Sequence, residues 1–137
     1  MNQELTQKLY DDFPELFRGK DKSMRETLMC FGFDCRDGWF RIIYELSSDI
    51  MKLSEQAGVE PPEVVQVKEK FGGLRYYVHG ATQAIYSRIQ EAEDQSIQTC
   101  EICGGSGRRR SGGWIQTLCD EHWKRRGEHE EAVDTRH

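Results

Sequence analysis

Long apolar runs are missing from this chain of 137 residues. No stretch approaches the length of about 20 apolar residues that a membrane-spanning helix needs. The opening residues, MNQEL, lack the basic stretch and following apolar segment of a secretory leader. Secretion and membrane anchoring are therefore not indicated, and the expected setting is the cytoplasm. Internal repeats and low-complexity segments are absent as well. Apolar residues make up only 36% of the chain and charged residues 31%, which predicts a soluble protein with a thin core. At this length the chain has room for one domain with a small appendage.

Cysteine is present in an organised form. Cys100 and Cys103 read C-E-I-C, and fifteen residues later Cys119 and His122 read C-D-E-H. Two close pairs of soft ligands, separated by enough chain to fold back, suit tetrahedral zinc. Three thiolates and one imidazole predict a single structural Zn2+ with no coordination position left for a catalytic water. Gly104 and Gly105 allow a tight turn whose amides can point at the thiolates. Residues 105–113, rich in Gly, Ser and Arg, are expected to form a flexible loop, and Trp114, Gln116 and Leu118 alternate as a short strand. His122 then opens a helix. A knuckle, a hairpin and a ligand pair starting a helix resemble a treble-clef zinc finger. Treble clefs also occur in His-Asn-His endonucleases, but such enzymes need a histidine base on the hairpin, and none lies between Cys103 and Cys119. The five cysteines, three of them committed to a metal, fit a reducing compartment better than a disulfide framework. Cys30 and Cys35 read as small buried thiols.

The net charge of −5 is unevenly spread. Residues 1–98 carry 12 basic and 17 acidic residues, residues 99–126 carry six and three, and residues 127–137 carry one and four. The metal segment is thus a basic island, with Arg108, Arg109 and Arg110 in one cluster and Lys124, Arg125 and Arg126 in another. Such an island either attracts an anionic partner or is a solvated turn and helix end.

Along the chain, Leu5, Leu9 and Phe13 have helical spacing until Pro14. Trp39, Ile42, Ile43, Leu46, Ile50 and Leu53 form a wide helical stripe, with Asp37 placed to cap it and Gly58 to close it. Residues 64–79 read as a β-hairpin turning at Phe71, Gly72 and Gly73. Val65, Val67, Leu74, Tyr76 and Val78 share its apolar face. Lys68, Lys70 and Arg75, with Tyr77 among them, form a second candidate contact strip, since cations interleaved with aromatics can hold single-stranded nucleic acid. Thr82 is a candidate N-cap for a helix bearing Ile85, Ile89 and Ala92, with Glu91, Glu93 and Asp94 facing water.

The expected architecture is α+β. It is a small single domain of about three or four helices with a β-hairpin and a C-terminal treble-clef-like zinc finger. Residues 1–98 form the core, residues 99–126 the zinc unit packed on it, and residues 127–137 a disordered acidic tail. Asp34, Asp37 and Glu45 could be assembled into a carboxylate site, but capping is the commoner role for Asp37. His79 reads as a surface residue. No nucleophile–base pair is evident, so an enzyme is not expected.

The phrases SMRET (residues 23–27), GFDCRDGW (32–39) and VKEKFGGLR (67–75), with the metal motif ending TLCDEH (117–122), resemble a set of small bacterial and bacteriophage proteins. The likeness covers most of residues 20–125 and implies one α+β unit with a built-in zinc knuckle and a phage or mobile-element setting. Small proteins in that setting often bind and disable a host machine, such as a CRISPR effector. Two function classes follow: a module that binds a protein or nucleoprotein complex, and a nucleic-acid-binding regulator. The sequence pI near 5.4 weighs against the second. A metal-dependent enzyme comes third.

Overall fold

Helix α1 spans Gln3–Asp12 and starts at Asn2, whose side chain accepts the Leu5 amide at 2.8 Å. The computed structural model describes residues 1–23, 27–29 and 32–134, with side chains as far as Glu128. Cys30 and residues 24–26 of the SMRET phrase lie outside the described residues. After α1 the chain turns past Pro14 and buries Phe13, Leu16 and Phe17. Strand β1 (Phe33–Asp34) and a 3-10 turn (Asp37–Trp39) lead into α2 (Phe40–Ala57). The stripe on α2 buries Ile42, Ile43, Leu46 and Ile50. Each such side chain contributes about 1.5–3 kcal/mol when fully buried. Gly58 ends the helix at φ 66°, donating to the Glu55 and Ser54 carbonyls in the left-handed cap that glycine favours.

Two expectations at the start of α2 are corrected. Trp39 lies on the 3-10 turn rather than on the helix, and Asp37 does not cap α2. Its carboxylate accepts the Asn2 amide at 2.7 Å and the Asn2 side chain at 3.0 Å, fastening the two chain segments together.

Strands β2 (Glu63–Lys70) and β3 (Gly73–His79) form the antiparallel hairpin, and β1 joins β2 in parallel, with Phe33 opposite Val67. The turn residues Phe71 and Gly72 both have positive φ, 53° and 81°. The simple alternation expected along β2 is broken by a bulge between Val64 and Gln66. A single extra residue exchanges the faces of a strand. Val64 is therefore fully buried and Val65 only partly. The bulge meets two neighbours: Val64 donates to the Leu16 carbonyl at 2.9 Å, and the Val65 carbonyl accepts the Leu28 amide at 2.8 Å.

Helix α3 (Gln83–Ser96) is capped by Thr82 as expected, with Oγ1 accepting the Ile85 amide at 3.3 Å. It buries Ile85, Ile89 and Ala92. Together α2 and α3 bury these side chains with Val64, Val67, Leu74 and Tyr76 in one core. The Ser47 and Tyr76 hydroxyls meet at 2.9 Å within it, so neither polar group is left unsatisfied. Glu93, expected to face water, is half-buried and accepts the Tyr76 amide at 3.2 Å.

A second, two-stranded sheet pairs β4 (Arg108–Arg110) with β5 (Gln116–Leu118), and α4 (Asp120–Asp134) follows. Residues 108–110 are thus strand rather than flexible loop. The backbone of residues 127–134 is helical where a disordered tail was expected, in keeping with the good helix propensity of Glu and Ala. The described part of the molecule is a mixed α+β fold of four α-helices, a three-stranded sheet and a two-stranded hairpin. No described helix is long and apolar enough to cross a membrane.

Candidate metal centre

The knuckle carrying Cys100 and Cys103 is closed by its own backbone. Gly104 donates to the Cys100 carbonyl at 2.9 Å, and Cys100 donates to the Gly105 carbonyl at 2.7 Å. Gly104 has φ 79°, a conformation suited to glycine. Cys119 follows β5 directly, and His122 lies on the first turn of α4. The β4–β5 hairpin therefore carries the second ligand pair back to the first.

The three sulfurs and one imidazole nitrogen all lie within 4.8 Å of one another. Cys103 and Cys119 Sγ are 3.9 Å apart, and His122 Nδ1 is 3.6 Å from Cys100 Sγ and 3.1 Å from Cys119 Sγ. Zinc bonds of about 2.3 Å to sulfur and 2.0–2.1 Å to nitrogen give tetrahedral edges of about 3.6–3.8 Å. Two of these separations lie close to those edges, and the 3.1 Å separation is shorter. The Gly105 amide approaches Cys103 Sγ at 3.4 Å and the His122 amide approaches Cys119 Sγ at 3.5 Å. Such N–H groups stabilise thiolate charge. Cys100 is buried, Cys103 is exposed, and the other two ligands are intermediate. All four cysteines with described positions are unpaired.

The knuckle is built into the core rather than appended to it. Gly38 donates to the Glu101 carbonyl at 2.7 Å. The backbones come so close that a Cβ on Gly38 would lie 2.3 Å from the Cys100 carbonyl oxygen. Trp39, fully buried, donates its indole N–H to the Thr99 carbonyl at 2.9 Å. The Glu101 carboxylate accepts the Arg36 amide at 3.1 Å. Burial pushes this carboxyl above its usual range, and the Arg36 amide partly offsets the shift. On the other side Thr117 Oγ1 donates to the Gly72 carbonyl at 2.5 Å. The phrases GFDCRDGW and VKEKFGGLR therefore form the two seats of the metal unit. Sequence reasoning missed Gly38, Glu101 and Thr117 in this role. The glycine inside GFDCRDGW was the available signal, since a required glycine marks a close backbone approach.

The candidate contact residues divide. Arg108 and Arg109 are exposed. Arg110 is not: it is 6% exposed, donates to the Leu118 carbonyl at 3.2 Å, pairs with Asp120 at 2.7 Å and lies over the Trp123 ring at 5.6 Å. Its assignment to an exposed contact tip is corrected, because the closed hairpin turns it toward α4. Lys124 is exposed, Arg125 pairs with Glu121 at 2.7 Å, and Arg126 lies over Trp114 at 4.8 Å and Trp123 at 5.3 Å. On the hairpin, Lys68 and Arg75 face each other across the ladder, and Lys70 lies over the Phe71 ring at 5.8 Å. The hairpin tip reaches β4, because a Cβ on Gly72 would lie 3.3 Å from Arg109 Cγ. Two surfaces that are separate in sequence therefore adjoin.

The other candidates are accounted for. Cys35 is buried, and burial pushes its thiol up to about 12, as expected of an inert core thiol. Glu45 pairs with Arg41, Asp34 is exposed, and Asp37 is held by Asn2. His79 is exposed. No protein-family model matches this chain, and neither a curated protein nor a solved structure matches it.

Proposed function

We propose that Cys100, Cys103, Cys119 and His122 hold one structural zinc ion in a treble-clef-like finger, and that the protein works by binding a macromolecular partner. The observation that carries the metal assignment is the convergence of four soft ligands within 4.8 Å. Four protein ligands complete a tetrahedron and leave no position for a reacting water. The site therefore supports a structural role and not a catalytic one. Metal loading would hold Cys119 and α4 against the knuckle, and with them the β4–β5 hairpin and its exposed arginines.

The partner is proposed to be a protein or nucleoprotein complex. A role as a phage-borne inhibitor of a bacterial defence complex, such as a CRISPR effector, rests on the resemblance of the motif phrases alone. Nucleic-acid regulation is the second reading, favoured by the way Arg109 comes to Gly73 beside Arg75 of the hairpin strip. The test is an Arg108→Ala/Arg109→Ala variant with metal content and folding checked. Weaker recovery of a complex from bacterial lysate is expected. Unchanged recovery at physiological salt would remove these arginines from the contact. A complex that dissociates steeply with salt would favour the nucleic-acid reading, since phosphate contacts release counterions.

A further inference from the structure

Phe71 occupies the first turn position of the β2–β3 hairpin at φ 53° and is 63% exposed. Two-residue turns with positive φ favour Asn, Asp or Gly, and a bulky aromatic there is strained. The exposed ring also adds little to the core. A residue that is both strained and exposed suggests a use outside folding. The neighbourhood supports this. A Cβ on Gly72 would lie 3.4 Å from Ile115 Cγ2, so the turn adjoins the segment before β5. There Trp114 is 51% and Ile115 38% exposed. The Arg126 guanidinium, 4.8 Å from the Trp114 ring, supports that ring from one side.

The cations around this patch are uncompensated. Arg109 and Lys70 make no ion pair with a described residue, whereas Arg110 and Arg125 have Asp120 and Glu121. Resting on the binding function proposed above, we propose that Phe71, Trp114 and Ile115 form the apolar centre of a docking surface for an acidic protein, with Arg109 and Lys70 as its rim. Aromatic side chains and Arg are the residue types that concentrate binding energy at protein interfaces. Ile115 offers no ring on which a base could stack. An acidic protein surface with an apolar recess matches both the centre and the rim.

The test selects a displayed library of random linear peptides on the metal-loaded chain and measures affinity for a synthetic copy of an enriched peptide. Enriched sequences are expected to combine Asp or Glu with large apolar residues. Phe71→Gly and Trp114→Ser should each weaken the synthetic peptide about tenfold or more, the loss typical of an interface anchor. Phe71→Gly should keep its metal and hold or raise its thermal midpoint, since glycine relieves the turn. That separates a binding residue from a folding one. The proposal is overturned if no peptide enriches beyond selection on the Phe71→Gly/Trp114→Ser double variant, or if affinity is unchanged in the single variants. Binding of a labelled oligothymidylate that those two substitutions abolish would also overturn it in favour of nucleic acid. A complex weakened by Arg108→Ala/Arg109→Ala but untouched by Phe71→Gly and Trp114→Ser would refute this surface while leaving the binding function standing.

Discussion

Thr117 Oγ1 donates a 2.5 Å hydrogen bond to the carbonyl of Gly72, 45 positions earlier, joining the strand before Cys119, the third candidate metal ligand, to the tip of the core hairpin. The Thr117 carbonyl accepts the Glu101 amide at 3.0 Å, so the same residue also holds the first knuckle. One side of the metal unit is thereby tied to the hairpin through a single buried side chain.

Replacing Thr117 with Val keeps the shape and removes the donor, leaving a buried carbonyl unsatisfied. The expected loss is about 1–3 kcal/mol of unfolding free energy. Chemical denaturation of the metal-loaded chain measures it, and Thr117→Ser should recover most of the loss. A change below about 0.5 kcal/mol, the range of surface substitutions, would mean that the bond does not couple the two parts.

Gly38→Ala is expected to be far more damaging than an ordinary glycine substitution. Its Cβ would lie 2.3 Å from the Cys100 carbonyl oxygen and 2.5 Å from the Glu101 carbonyl carbon, both backbone atoms that cannot swing away. Separating the knuckle from the 3-10 turn should cost about 3 kcal/mol or more, beyond the usual range of overpacking. Calorimetry should show a much lower melting temperature with the Trp39 fluorescence perturbed. A variant that melts like the parent would contradict the close backbone approach.

Glu93 gives a pH signature. Burial raises its carboxyl pKa above the ordinary value, against the opposing effect of the Tyr76 amide. The folded chain then binds this proton more tightly than the unfolded chain does. The contribution to stability is present at low pH and lost as pH rises through the folded pKa. Glu93→Gln retains a carbonyl to accept the Tyr76 amide and removes the buried charge. It should raise stability at neutral pH, with the gain vanishing below the ordinary carboxylate range. An equal gain at acid and neutral pH would sink this assignment.

Much of this fold is legible in the residues because the relevant signals are local. The candidate metal ligands declare themselves by spacing, Thr82 and Gly58 by capping chemistry, and the α2 stripe by its period. The features that escaped are set by partners distant in sequence. The β2 bulge depends on Leu16 and Leu28, which no pattern within residues 63–70 could reveal. Arg110 reads as one of three equivalent arginines until β4 pairs with β5 and brings Asp120 and Trp123 beside it. Asp37 has the composition of a helix cap, but Asn2 engages its carboxylate instead.

The most direct test of the central claim is elemental analysis of the purified chain and of single Cys100→Ser, Cys103→Ser, Cys119→Ser and His122→Ala variants. Four ligands closing one tetrahedral site predict one zinc per parent chain and loss of zinc in each variant. Parent protein without bound metal, or a Cys103→Ser variant that retains a full equivalent, would contradict the assignment.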